Sequence, residues 1–340
     1  PFMAVVLDEG QYVKNPSSQT AKAARALNSA HRLALTGTPI ENRLLDLWSL
    51  MAFAMPGVLG NRRQFGKLYN AKDDPFARLR LSSRVRPFLI RRTKAQVAQD
   101  LPERIEEDLY CEIEGEQKKL YDAERKRAQQ LLLGVKTQQQ LNDLRFNFLT
   151  SLLRLRQICC HPLLVKENSK ARSAKVDALL EQLEPIVAEG SKVLIFSQFV
   201  AALKLLEKAI KKEGWPLWKL TGATENRGPL VDDFQNHDGA GVFLISLKAG
   251  GSGLNLTAAS YVVLFDPWWN PAVENQAIDR THRIGQTNRV IAYRLLIKDS
   301  IEEKIRGLQK RKQALAEDVL GEEKFAQTLS IEDFQYLLSD

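Results

Sequence analysis

Val242-Phe243-Leu244-Ile245 runs directly into Ser246-Leu247-Lys248-Ala249-Gly250-Gly251-Ser252-Gly253-Leu254-Asn255-Leu256. Four apolar residues in succession, with no polar residue alternating between them, describe a strand buried on both faces, as in a parallel sheet. The glycines that follow let the backbone approach a phosphate, and Lys248 adds charge. Taken alone, Ser, Gly and Asn describe any loop. Further strands are expected at Lys192–Phe196, Leu217–Leu220, Tyr261–Phe265 and Val290–Leu295. Helical stretches alternate with them at 176–189, 200–213, 227–236 and 272–280. That alternation predicts an α/β fold with a parallel sheet covered on both faces.

A smaller unit of the same kind precedes it. Residues 4–7 and 32–36 are short apolar runs, and the stretch 18–28 behind Pro16 and Ser17 predicts a helix, giving β-α-β. Residues 42–60 are expected to be helical up to Pro56-Gly57. Residues 61–100 are strongly basic, with Arg62, Arg63, Arg84, Arg86, Arg91, Arg92 and Lys94. A helix is expected over 116–133. In the next one, Leu141, Leu144, Phe148, Leu152 and Leu155 form one apolar stripe, with Arg145, Arg154 and Arg156 elsewhere on that helix. The tail places Ile301, Ile305, Leu308, Leu315 and Val319 on an amphipathic helix expected to pack onto a lobe.

The 340 residues suffice for two domains, and a content of 44% hydrophobic and 26% charged residues is that of an ordinary globular protein. No apolar run reaches the roughly 18 residues of a membrane span. The chain opens on Pro1 and an apolar strand without a signal peptide's basic flank, and is expected to start at a cut end. Cys111, Cys159 and Cys160 show no C-x-x-C spacing, so no zinc site is expected, and a reducing compartment is. A net charge of +8 favours a polyanionic partner without establishing one.

The polar motifs cluster at strand ends. Asp8-Glu9-Gly10-Gln11 follows the first strand, where ligands bind in open α/β sheets. An Asp there can hold Mg²⁺ beside substrate phosphates, and a neighbouring Glu can deprotonate water. On those four residues alone, a capped turn is the commoner reading. Leu35 to Asn42 follows the next strand, with Thr38 and Pro39 placed to start a helix. Phe196-Ser197-Gln198-Phe199, Leu220-Thr221-Gly222 with Arg227, and Asp266-Pro267-Trp268-Trp269-Asn270-Pro271 stand likewise. An exposed Trp can stack on a base, although core packing is expected of at least one of the pair. Gln276 precedes Asp279-Arg280-Thr281-His282-Arg283-Ile284-Gly285-Gln286. Two arginines three apart on a helix are expected to point from one face, and guanidinium forks match phosphate oxygens. The phosphate-cradling G-x-x-x-x-G-K-[ST] pattern is missing. Its one approximation, Gly60 to Gly66-Lys67-Leu68, has a spacer residue too many and Leu68 in place of the hydroxyl.

In this order, the motifs resemble the SWI/SNF-type ATPases of helicase superfamily two. Asp8 to Gln11 is similar to their acidic box and Leu35 to Asn42 to their L-T-G-T-P box. Val85-Arg86-Pro87-Phe88-Leu89-Ile90-Arg91-Arg92-Thr93-Lys94 resembles their P-x-x-L-R-R-T-K segment. Leu101-Pro102, Gln117 with Leu120-Tyr121, and Leu155 to Pro162 also fit, as do Ala249 to Leu256, Trp269-Asn270-Pro271, and Asp279 to Gln286. The match spans essentially the whole chain, and H-R-I-G-Q after D-R is highly specific. Thr281 stands where the family's usual residue is alanine.

The resemblance implies RecA-like parallel-sheet lobes that close on ATP and Mg²⁺ and step along double-stranded DNA. It implies part of a first lobe over 1–95, a helical insertion over 96–170, a complete second lobe over 171–300 and C-terminal brace helices over 301–340. By the same carry-over, Asp8 holds the metal and Glu9 is the catalytic base. Arg280 and Arg283 reach the phosphates, in one crevice with the 8/9 carboxylates, and Gln276, Gly251 and Gly253 adjoin the nucleotide. Lys248, Trp269, Ser197 and Gln198 would contact DNA. DNA-bound proteins or RNA polymerase are further candidate partners; neither membrane nor zinc is expected. An intracellular location is implied, with a prokaryotic cytoplasm or nucleoid favoured over a nucleus. Without the phosphate loop, this chain alone is expected to be inactive. The alternative is a non-catalytic nucleic-acid-binding or protein-docking module that retains the fold.

Overall fold

A computed structural model describes residues 1–36, 44–69, 76–90, 92, 94–98, 100–135, 137–247, 249, 253–311 and 329–339. The chain divides into two compact units, Pro1–Val97 and Ala98–Asp340.

In the first unit, β1 (Phe2–Leu7) pairs in parallel with β2 (Ser29–Ala34), joined through α1 (Gln19–Ala26). The register sets Leu7 against Ala34. Ser18 caps α1 by accepting a 3.1 Å hydrogen bond from the Ala21 amide, which satisfies a donor that a first turn otherwise leaves open. The expected β-α-β unit is therefore present. Among the described residues, α-helices follow at α2 (Leu44–Ala54), α3 (Arg62–Tyr69), α4 (Ala77–Val85) and α5 (Lys94–Val97). Phe65, Leu47, Met51, Leu81 and Val85 pack into one core among them.

Among the described residues, the second unit holds a six-stranded parallel sheet in the order β3-β8-β7-β4-β6-β5. Its strands are β3 (Arg104–Cys111), β4 (Lys192–Ser197), β5 (Leu217–Leu220), β6 (Gly241–Ser246), β7 (Tyr261–Leu264) and β8 (Val290–Ile297). Every residue of the central strands β4 and β6 is buried, as their unbroken apolar runs require. The helices are α6 (Gly115–Leu133), α7 (Gln138–Cys160), α8 (Ala174–Ala188), α9 (Val200–Lys212), α10 (Arg227–Asn236), α11 (Pro271–Ile278), α12 (Ile301–Arg311) and α13 (Ile331–Leu338). Apolar clusters lie on both faces of the sheet. A third joins α6, α7, α12 and α13, and includes Leu141, Phe148, Leu152 and Leu155 of the expected stripe with Ile301, Ile305 and Leu308. Leu315 and Val319 lie outside the described residues.

Two features depart from the sequence-based expectation. Residues 104–111, inside the stretch expected to be a helical insertion, form an edge strand paired with β8 in the register Arg104↔Val290. Its sequence, Arg-Ile-Glu-Glu-Asp-Leu-Tyr-Cys, hides the strand because its charges are matched by arginines of the fold and not by water alone. Helix α11 ends at Ile278, so Arg280 and Arg283 stand on the following turn.

Candidate nucleotide and nucleic-acid site

In the first unit the acidic box forms the tip of β1. The Glu9 amide donates to Asp8 Oδ1 at 2.9 Å, and Glu9 has φ of 53°, the left-handed region that side-chain-bearing residues rarely occupy. Such strain persists only where the surroundings hold it, and it gathers at functional sites. Here Gly10 donates to the Leu35 carbonyl at 2.7 Å, while Leu35 donates to Leu7 at 2.7 Å. A Cβ on Gly10 would lie 3.1 Å from Leu50 Cδ2 and 3.2 Å from the Leu35 oxygen. The acidic box is thus packed against Leu35 and Thr36, the start of the L-T-G-T-P box. The rest of that box, 37–42, lies outside the described residues. The Asp8 carboxylate is exposed at the strand tip. Among the described residues no group of three or more His, Cys, Asp or Glu could hold a metal. A cation on Asp8 would take its other ligands from water and phosphate oxygens, a donor set that suits Mg²⁺.

In the second unit, the loops after β4, β6 and β7 lie at one end of the sheet. The fully buried Ser197 hydroxyl donates to Asp266 Oδ1, and the Gln198 amide lies 3.3 Å from both carboxylate oxygens. Burial pushes the Asp266 carboxyl up to about 6, with the Ser197 hydrogen bond opposing the rise. The Gln198 side-chain nitrogen is enclosed without a hydrogen-bond partner among the described residues. These are neighbours across the β4–β7 pair, where the chain order switches sides, which is where open α/β sheets bind ligands. Lys248 and Gly251 lie outside the described residues. Gly253 is exposed, with φ of 53°.

Core packing, expected of at least one indole of the pair, holds for both. Trp268 and Trp269 are both buried, Trp269 to 3% exposure, in the cores on either side of the loop. The Arg156 guanidinium lies 5.3 Å from the Trp269 ring centre and donates to the Pro267 carbonyl at 2.8 Å. That cation is itself fully buried and was hidden in the sequence, since it falls off the apolar stripe of α7. Lys175 is another: its ammonium donates to Glu302 and, at 2.9 Å, to the Phe265 carbonyl, and the Glu302 charge raises its pKa against the lowering effect of burial. Cys159 and Cys160 are fully buried, and burial pushes both thiols up.

The arginine turn is held by its neighbours' side chains. His282 Nε2 lies 2.7 Å from the Pro102 carbonyl; a carbonyl can only accept, so this nitrogen carries the proton. Gln286 Nε2 donates to Thr281, Thr257 and Ala259 carbonyls at 3.2, 3.1 and 2.9 Å. Leu256 donates to the Arg280 carbonyl at 3.0 Å, which joins the turn to the end of the glycine loop. Gly285, at φ of 101°, makes the bend. These partners lead into β7 and β3, so the turn packs against segments entering the strands and not at their carboxyl tips. Nor do the arginines share a helix face: the turn buries Arg280 to 7% exposure and leaves Arg283 exposed. Gln276 is half-buried on α11.

Helix α11 is fixed from below. Glu274, buried, accepts from Arg294 Nε at 3.0 Å and from the Trp268 amide at 2.8 Å. Arg294 also pairs with Glu106 and, at 3.6 Å, with Asp108 of β3. Burial raises the Glu106 carboxyl, but hydrogen bonds and charge from Arg294 and Arg104 outweigh it and hold it below the usual carboxylate range.

The fold and these motifs are those of helicase-like α/β proteins. Residues 2–164 match the SNF2-related domain and 174–285 the helicase conserved C-terminal domain. An uncharacterized ATP-dependent helicase of Mycoplasma pneumoniae is 40% identical over 98% of this chain. The chain spans about a third of the length of the curated relatives it matches. The Sulfolobus solfataricus SWI2/SNF2 ATPase core, solved in complex with dsDNA, is 36% identical at a TM-score of 0.59, covering 99% of this chain and 72% of that one. The C-terminal domain of the same ATPase is 32% identical at a TM-score of 0.56, covering 70% of this chain and 99% of that one. The chain belongs to the SWI2/SNF2 family of ATPases.

Proposed function

We propose that this chain is part of an ATP-driven motor that translocates on double-stranded DNA. The observation that carries the reading is the H-R-I-G-Q turn. There His282 and Gln286 bind backbone carbonyls, while Arg283 stays exposed. A guanidinium presented this way is suited to the charge that develops on a transferring phosphoryl group, where an arginine can contribute about 10³–10⁵ in rate. Asp8 would hold Mg²⁺, which neutralises phosphate charge when bound. Glu9, at the strained tip beside it, is placed in sequence to accept the proton of the attacking water. Arg280, Gln276 and Gly253 belong to the nucleotide side of this reading, together with Gly251. Ser197, Gln198 and Lys248 belong to the DNA side. The burial of Trp269 supports for it a role in shaping the loop after β7. The net charge of +8 supports a phosphate-backbone partner.

The missing phosphate-cradling pattern favours a second description of the 340 residues taken alone, as a DNA-binding module without turnover. One assay separates the two: DNA-stimulated ATP hydrolysis by this chain and by a form extended upstream to include a phosphate loop. The expected result is DNA binding by both, weakening steeply with salt, and turnover by the extended form alone. Absence of DNA-stimulated turnover from the extended form would refute the motor.

A further inference from the structure

The segment entering the second unit touches the arginine turn's surroundings at every stage. Before the turn, Arg104 donates to Asn275 Oδ1 at 2.8 Å and pairs with Asp279 at 3.3 Å. Within it, His282 Nε2 meets the Pro102 carbonyl at 2.7 Å. After it, the Val290 amide donates to the Glu103 carbonyl at 3.1 Å. Three consecutive residues, 102–104, thus bracket the turn that bears Arg283. They follow on Asp100 and Leu101, near the start of the unit, where the Leu101 amide donates to the Ala98 carbonyl at 3.2 Å.

We infer that His282 and Arg104 are positioning residues that tie the arginine turn to the chain entering the second unit, so that the placement of Arg283 depends on the path of residues 100–103. This rests on the proposed role of Arg283 toward a nucleoside triphosphate. The physical basis is the difference between the two kinds of contact. Arg104 holds α11 and its end through a charged fork. His282 holds the turn itself through its Nε2 hydrogen bond to the Pro102 carbonyl, without the second prong that a guanidinium fork supplies. A shift of residues 100–103 would pull on Pro102 and, through His282, on the turn, while two of the carbonyls that Gln286 binds, Thr257 and Ala259, lie outside the turn, ahead of β7.

Two measurements on His282→Ala and His282→Gln test the tie. The glutamine amide reaches the position of Nε2 and can donate to the same carbonyl. In this chain, amide exchange over 279–286 should quicken in H282A and return toward wild type in H282Q, while α11 and the sheet stay protected. In the upstream-extended form, H282A should lower kcat about tenfold or more with KM for ATP unchanged, since a displaced catalytic group costs rate before binding. H282Q should recover most of that loss. Unchanged exchange in H282A, or wild-type kcat beside quickened exchange, overturns the inference. A wild type without DNA-stimulated turnover is a different failure, of the motor reading itself: every variant is then silent alike, and the role of His282 toward Arg283 falls with it.

Discussion

At Thr281, between the two arginines, the structure encloses a hydroxyl with no hydrogen-bond partner among the described residues. An unsatisfied buried hydroxyl costs about 1–3 kcal/mol. Thr281→Val keeps the volume and removes the polar atom, and should therefore raise stability by about 1 kcal/mol in urea denaturation. Asp266 gives a second residue-scale prediction. Its folded pKa of about 6 lies above the ordinary 3.8, so the unfolded chain ionises first as pH rises. The contribution of this group is full below about pH 4 and is lost as pH climbs through 6, a swing of about 3 kcal/mol at roughly 1.4 kcal/mol per unit. Subtracting the pH–stability curve of Asp266→Asn from that of wild type should isolate that fall. A flat difference would mean that Asp266 is not buried as an acid.

Among the elements, α11 shows how the turn is supported. Glu274 is 1% exposed and carries the charge that Arg294 meets from β8. Glu274→Ala leaves a buried arginine with one carboxylate fewer and should cost about 3 kcal/mol in thermal denaturation. The same element shows what was legible in the sequence. The central strands were, because Val242–Ile245 and Lys192–Phe196 are buried on both faces and so must be apolar. Strand β3 was not, because its charges are satisfied by Arg294 and Arg306, partners some two hundred residues away that no local pattern reveals. The candidate residues of the site were legible as motifs, but their surroundings were not. Nothing local tells that Trp269 is buried against Arg156, or that the helix stops two residues before Arg280.

For the whole molecule, the two units supply different parts of one proposed reaction. The first offers the acid pair on a strained strand tip, the second an exposed arginine on a braced turn. The proposed reaction also needs a phosphate-binding loop, so the most direct measurement is made on the upstream-extended form. ATP turnover with saturating double-stranded DNA is compared between wild type and Arg283→Ala, alongside DNA affinity for both. Turnover should fall by about 10³-fold or more in the variant while DNA binding stays within a few-fold of wild type. Equal turnover in the two proteins would contradict the assignment of Arg283 and, with it, the reading of this turn as the part that meets the nucleotide.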